Sequence, residues 1–441
     1  MRVRAAFLQT LASQLVQSVA SIGTGVLIAR SLGPTGQGQY ALLTAGVALG
    51  SALVSIGQFQ GNVLAAAGRD SQPRVLLLRS LIHGLVVGVA VAGTLPVWAR
   101  FVPLEHAWSL SLILTVLLSA ETVALMIRGI NLGQHHVTAW NAATLAQRIV
   151  YLGGVGGLIV VGRPRLELVL ACWAVATLTS VAVSGLWIWF RSARVNVSLR
   201  ELRQGWGGRM IVGARVLVTL GVTLILIRCD VWMLGPMLGV ATVGQMSIAI
   251  ALGEWLWYVP SILGNLLFAV VAADVAGRSP QQICQAARAV TTVLVPAALV
   301  LCVAGQRLVV SLYGNTYAVA GTLFVILLPG MAALGMHLVV DAFFAGKGFP
   351  PISIWSAIVA LTAKVSLNLL AIPSFGARGA AGVTSLVYIG LLVFKTAAFT
   401  SQTGTPLRSV FVPQRSDFDY WIAWARARLG LVVIKGPTGR G

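Results

Sequence analysis

Leu32-Gly33-Pro34, followed by Gly38-Gln39-Tyr40, returns in the second half of the chain as Leu234-Gly235-Pro236, followed by Gly244-Gln245-Met246. The offsets are 202 residues (33 to 235) and 206 residues (38 to 244). A short loop insertion accounts for the drift. Both copies lie between two long apolar stretches, so the chain reads as one module used twice. In membrane chains such duplication predicts two lobes around a central substrate path.

Mean hydropathy is +0.88 and only 10% of residues are charged, which excludes an ordinary soluble domain. A helix needs about 20 apolar residues to cross a bilayer. Twelve stretches qualify: 7–29, 39–60, 76–98, 107–129, 139–162, 167–190, 210–234, 242–272, 286–310, 318–344, 352–373 and 379–400. The gaps between them are too short to hold a folded soluble domain. The first stretch follows Arg2 and Arg4 but is too long for a signal peptide and lacks a small-residue cleavage site, so it reads as a retained helix. The expected fold is therefore all-α, a polytopic membrane protein with about 12 transmembrane helices in two pseudo-symmetric six-helix lobes. Residues 1–190 form the N-lobe and 210–400 the C-lobe. A cytoplasmic linker spans 191–209, and 401–441 is a basic cytoplasmic tail.

The formal net charge of +20 raises nucleic acid as a partner, but its distribution argues against that. With the N-terminus inside, the inner segments and tail carry 21 cations, Arg128 and Lys395 among them, and the outer segments carry six. This positive-inside asymmetry sets topology, places both termini in the cytoplasm and meets anionic membrane lipids. Cys172, Cys229, Cys284 and Cys302 are scattered without metal-ligand spacing and read as small buried apolar residues.

The duplication extends past the Gly-Pro turn. Gly133 precedes Trp140 by seven residues, as Gly348 precedes Trp355, and each tryptophan is followed by a cation inside the same span. Those cations are Arg148 and Lys364. An ionisable group inside a bilayer is expensive, so each needs a partner or a watery cavity. The embedded groups are Arg148, Arg215, Arg228, Lys364, Glu121, Asp230, Glu254 and Asp341. Arg228 and Asp230 lie near an outer end, where a local ion pair or snorkelling suffices.

Helical spacing gathers Asn141, Thr144, Arg148 and Tyr151 on one face. It does the same for Ser353, Lys364 and Asn368, for Ser247, Glu254, Tyr258, Ser261 and Asn265, for Ser13, Gln17, Ser21 and Thr24, and for Thr44, Ser51, Ser55 and Gln58. Such stripes serve either as glue between helices or as the lining of a hydrated cleft. Arg148 and Lys364, one per lobe, suit a phosphate or diphosphate; the rival reading pairs them with Glu121, Glu254 or Asp341. Arg215 extends the path toward the cytoplasm. The substrate-binding expectation thus comprises Arg148, Lys364, Arg215, Asn141, Asn368 and Gln17. Gating or ion coupling falls to Glu254, Glu121, Asp341, Arg228 and Asp230.

Enzyme signatures are lacking. No phosphate-binding Walker loop occurs, and neither a cofactor nor a metal is expected. Asp417-Phe418-Asp419 sits in a short tail without a nucleotide-binding fold, and His135-His136 lacks companions for a metal.

Ala29-Arg30-Ser31-Leu32-Gly33-Pro34 with Gly38 and Tyr40 resembles the first helix pair of bacterial polysaccharide (oligosaccharide-lipid) flippases. Arg228-Cys229-Asp230 to Leu234-Gly235, then Gly244 and Glu254, is similar to their helix 7–8 segment. Leu312-Tyr313-Gly314, Leu328-Pro329-Gly330, Ala345-Gly346-Lys347-Gly348 and Asn368 to Pro373 resemble the pattern of their later helices. These proteins belong to the multidrug/oligosaccharidyl-lipid/polysaccharide exporter superfamily. The resemblance implies two six-helix lobes that alternate access and flip polyprenyl-diphosphate-linked glycans in the bacterial inner membrane, with glycan polymerase or assembly proteins as partners. Some relatives have fourteen helices; a thirteenth and fourteenth are not evident here. Two alternatives remain. One is a cation-coupled multidrug exporter of the same superfamily, although the acid that such exporters carry in the first helix is missing. The other is an integral-membrane polysaccharide polymerase or ligase, which would need a larger outer loop.

Overall fold

The computed structural model describes residues 2–55, 57–68, 72–98, 107–134, 136–192, 206–272, 274, 277–348 and 350–414. Among them there is no strand. The helices are α1 (Arg2–Val54), α2 (Gln58–Ala67), α3 (Pro73–Trp98), α4 (Ala107–Gly133), α5 (Val137–Val160) and α6 (Leu166–Arg191). They continue with α7 (Trp206–Leu238), α8 (Val240–Ala272), α9 (Ser279–Tyr313), α10 (Ala318–Gly346), α11 (Pro351–Thr403) and the short α12 (Leu407–Phe411). A 3₁₀ turn, Asn315–Tyr317, joins α9 to α10. Nine helices among the described residues are long and apolar enough to cross a membrane, as expected of a multi-pass membrane protein. Their outward faces are apolar, with Leu85, Val86 and Val89 of α3 and Val300 and Val303 of α9 exposed, which is how a helix meets lipid rather than water.

Two pairs of the expected spans each meet at one sharply bent glycine instead of across a separate loop. The spans read as 7–29 and 39–60 fall largely on α1, broken at Gly33 (φ 67°, ψ 178°). Those read as 352–373 and 379–400 are the arms of α11, broken at Gly376 (φ 60°, ψ −147°). No separate loop is needed, because glycine reaches a positive φ without the Cβ clash that stops other residues.

The second copy of the opening motif turns elsewhere than its sequence suggests. Helix α7 runs through Gly235 and Pro236 to Leu238, and the positive-φ residue is Gly239 (φ 87°). The distance from Gly33 to Gly239 is 206 residues, the same as from Gly38 to Gly244. The turn therefore keeps one constant offset. It is the Leu-Gly-Pro triplet that has slipped about one helical turn earlier, so no loop insertion is required.

The chain forms two compact units. Unit 1 contains 1–247 and 309–320. Among the described residues its interior includes three apolar clusters. One joins Ala65, Leu76, Val123, Ile127 and Ile188, another Ile28, Tyr151, Val155, Val169 and Ala176, and the third Val47, Leu110, Leu117, Leu170 and Ala174. Within this unit Arg30 donates to the carbonyls of Leu312 (2.7 Å) and Ser311 (2.8 Å), and Tyr317 Oη–H to that of Ala29 (2.8 Å). Gln245 bridges the start of α10, donating to Thr316 O (2.7 Å) and accepting from the Ala320 N–H (2.9 Å).

Unit 2 contains 248–308 and 321–441. Helix α10 lies at its heart, with Leu323, Phe324, Leu327, Val339, Val340 and Phe344 fully enclosed. Phe343 meets Phe399 of α11 edge-on at 5.0 Å, and Ser385 Oγ–H donates to Ile326 O at 2.6 Å. Arg288 at the start of α9 donates to Ser409 O (2.6 Å) and so holds α12. Most of the expected linker (193–205) and tail (415–441) lie outside the described residues, as does the Asp417-Phe418-Asp419 triplet.

Candidate functional site

Unit 1 concentrates its embedded charge where α4, α5 and α6 meet. Glu121 and Arg128 are seven residues apart on α4, two turns and hence one face. The Glu121 carboxylate accepts from Thr177 Oγ1–H of α6 (2.7 Å) and from Gln147 Nε2–H of α5 (3.3 Å); Gln147 also donates to Thr177 Oγ1 (3.0 Å). Neutral donors from two other helices thus hold the acid. Neither arginine pairs with it. The buried Nε of Arg128 and that of Arg148 find no hydrogen-bond partner, although Arg128 lies within electrostatic reach of both Glu121 and Arg148. Tyr40 and Tyr151 share a hydroxyl–hydroxyl bond of 2.9 Å in the field of Arg148.

Two guanidiniums against one carboxylate leave a surplus positive charge. A buried N–H without an acceptor costs free energy, about 1–3 kcal/mol and more when charged. A bound oxyanion removes that cost, and a guanidinium offers it two parallel donors. The sequence alone counts Arg128 only among the inner topological cations. Its seven-residue spacing from Glu121 is the signal that it belongs with Arg148.

Unit 2 sorts its charges differently. Lys364 is fully buried on the first arm of α11, with its Nζ 5.0 Å from the ring centroid of Tyr388 on the second arm. Asn368, one turn further along, is equally buried. Asp341 pairs not with Lys364 but with Lys395, at 2.6 Å. Lys395 is buried and donates also to Ser353 Oγ (3.0 Å), which corrects its assignment to the headgroup-facing cations. A lysine inside the apolar run 379–400 is the available signal.

The remaining expected residues are placed as follows. Gln17 is buried and donates to Ser13 Oγ at 2.9 Å, one turn back on its own helix. Asn141 is buried on α5, on the face of Arg148. Asp230 is fully buried, so snorkelling does not account for it; Arg228 beside it is partly exposed. Glu254 is partly buried in unit 2. The side chain of Arg215 lies outside the described residues. Many of the stripe hydroxyls bond to their own helix: Ser21 to Gln17 O, Thr24 to Ala20 O, Thr144 to Trp140 O and Ser261 to Tyr258 O. Such bonds satisfy a hydroxyl in an apolar medium without water. Among the described residues no group of three His, Cys, Asp or Glu side chains could hold a metal ion.

No family model and no curated protein matches the chain. Solved structures do match over nearly its whole length. The lipid II flippase MurJ in an inward closed conformation aligns with a TM-score of 0.70 at 10% identity, covering 97% of this chain and 93% of that one. An inward-facing multidrug resistance MATE family transporter of the MOP superfamily aligns with a TM-score of 0.67 at 16% identity, covering 88% and 94%. The Vibrio cholerae MATE transporter VcmN follows with 0.65 at 11% identity, covering 91% and 98%. At these identities the likeness is one of fold: the chain has the architecture of the multidrug/oligosaccharidyl-lipid/polysaccharide exporters.

Proposed function

We propose that this chain flips a polyprenyl-diphosphate-linked oligosaccharide, or a related polysaccharide precursor, from the cytoplasmic to the outer leaflet of a bacterial inner membrane by alternating access. The observation carrying this reading is the unit-1 cluster, where Arg128 and Arg148 each keep a buried Nε–H without an acceptor while neutral donors hold Glu121. A diphosphate glycan cannot enter hydrocarbon unaided, because its sugars and charges lose their hydration. A cationic site replaces part of that hydration while the prenyl tail stays in lipid. Outward movement of negative charge is favoured by an inside-negative potential, about 2.3 kcal/mol per charge per 100 mV.

In this reading 1–190 and 210–400 are the two lobes and both termini are cytoplasmic. Asn141, Gln17, Arg215, Lys364 and Asn368 belong to the path, and Glu254, Arg228 and Asp230 to gating. Glycan polymerase or assembly proteins take up the product. The MATE likeness supports a second reading, a multidrug exporter, in which Glu121 rather than the arginines is the working group.

The test uses proteoliposomes carrying a fluorescent polyprenyl-diphosphate oligosaccharide whose leaflet is reported by an impermeant quencher. The wild type flips it, and Arg148→Ala and Arg128→Ala each reduce flipping at least tenfold while the protein remains folded. Undiminished flipping by the double variant sinks the proposal. Export of an organic cation dye with no glycolipid flipping favours the multidrug reading.

A further inference from the structure

Inside unit 2, two side chains of α10 and two of α11 form a buried polar cluster separate from the arginine site. His337 and Asp341 are four residues apart on α10, one turn and hence one face. The Nδ1 of His337 is buried without a hydrogen-bond partner. Asp341 accepts from Lys395 Nζ at 2.6 Å, and Lys395 also donates to Ser353 Oγ at 3.0 Å. The Lys395 ammonium sits 4.7 Å from the ring centroid of Phe344. Lys395 is 2% exposed and Asp341 29%, so the carboxylate is the open side of the cluster.

Asp341 and Lys395 are the charged groups that act on His337. From the other helices, Trp257, Pro260 and Gly264 of α8 and Leu294 and Thr291 of α9 lie against this part of α10, with Glu254 and Arg288 one turn away on those two helices. The cluster is thus charge-balanced while the imidazole is neutral, with a basic nitrogen waiting one turn from a carboxylate already in use. As structural cement it is a poor choice, because a buried ion pair is often matched or bettered by apolar side chains of similar size. A histidine beside it adds a second basic group able to take up a proton.

We propose that His337, Asp341, Lys395 and Ser353 form a proton-exchange site whose occupancy makes or breaks the link between α10 and the second arm of α11. One proton binds an imidazole nitrogen of His337. The imidazolium competes with the Lys395 ammonium for the Asp341 carboxylate, and Lys395 moves away with the arm that carries it. Loss of that proton to the other side of the membrane restores the Lys395–Asp341 pair. One proton enters and one leaves, and no bond other than N–H changes. The paired arrangement, with Lys395 on Asp341, is the proton-free state. A sodium ion fits less well, since it would have to displace an ammonium already seated on the carboxylate. This inference is independent of what the chain carries.

The full-length protein in lipid nanodiscs, labelled with ¹⁵N-histidine and ¹⁵N-lysine, tests it by NMR. The chain has five histidines, so the signal lost in His337→Gln is assigned directly. Removing the opposing ammonium in Lys395→Met raises the His337 titration midpoint by about one pH unit or more, and Asp341→Asn lowers it. In the wild type the Lys395 Nζ signal shifts with the same midpoint as His337, and in His337→Gln it stays in place over that range. The last comparison separates exchange from a static ion pair. A Lys395 signal that ignores the protonation of His337, or a midpoint unmoved by both substitutions, overturns the proposal.

Discussion

Gly38 and Gly244, equivalent glycines in the two copies of the motif, pack backbone to backbone. A methyl group on Gly38 would stand 1.9 Å from the carbonyl oxygen of Val240, and one on Gly244 would stand 2.0 Å from that of Pro34 and 3.0 Å from the amide nitrogen of Gly38. Each copy of the motif thus supplies the surface on which the other rests. Only hydrogen fits between the two backbones, the reason small residues line close helix contacts in membranes.

Gly38→Val is therefore expected to force this contact open. The overpacking should cost about 1–3 kcal/mol. Cysteines placed at Gln37 and Ser247, whose side chains meet at 3.3 Å, report the effect. A short thiol-reactive cross-linker should join them efficiently in the otherwise wild-type chain and poorly when Gly38→Val is added. Equal cross-linking in both would show that the backbones can part without losing the contact.

The slipped repeat gives a sharper comparison. Gly235 is helical, and a methyl group added there would meet nothing closer than 3.7 Å, whereas Gly33 and Gly239 sit at φ 67° and 87°. Gly235→Ala should be neutral or stabilise the protein by up to about 1 kcal/mol. Gly33→Ala and Gly239→Ala should each destabilise it by about 1–3 kcal/mol. Thermal unfolding of the three variants in one detergent decides this, and equal effects at 33 and 235 would restore the triplet-based alignment.

Arg30 ties the end of the first arm of α1 to the turn after α9 through the carbonyls of Ser311 and Leu312. Because Arg30 is exposed, Arg30→Gln should cost only about 1 kcal/mol. Amide exchange should nevertheless accelerate several-fold over 309–317 and leave α4 and α5 unchanged. Uniform acceleration along the chain would contradict a local clasp.

The Lys395–Asp341 pair predicts strong non-additivity. Lys395→Met leaves a carboxylate without its counter-ion and should destabilise unit 2 by about 1–3 kcal/mol, less than for a fully buried pair because Asp341 is 29% exposed. Adding Asp341→Leu should recover most of that loss, because the charge that needed compensation is gone. Additive losses in denaturant unfolding would mean that the two groups do not act as a pair.

The arginine site is half legible without the fold. Arg148 stands out because an arginine in an apolar run at helical spacing from Asn141, Thr144 and Tyr151 is rare. Its expected counterpart, Lys364, is enclosed against Tyr388 in unit 2, while Arg128 shares unit 1 with it. Which cation meets which acid depends on side-chain reach across helices far apart in sequence, and no local pattern encodes that. Asp341 illustrates the same limit, since several embedded cations compete for it by depth and it takes the one on the second arm of α11.

The amino-acid sequence by itself determined that the chain is helical and membrane-spanning, and that one motif is used twice. Those properties follow from local hydropathy, from helical spacing and from recurrence, all of which act within a few turns. Tertiary structure alone decided where the repeat truly aligns, that Gly38 and Gly244 touch, and which charges are paired. Backbone approach and ion pairing are set by the crossing of helices, and in a low-dielectric interior a displacement of one helical turn changes a partner completely.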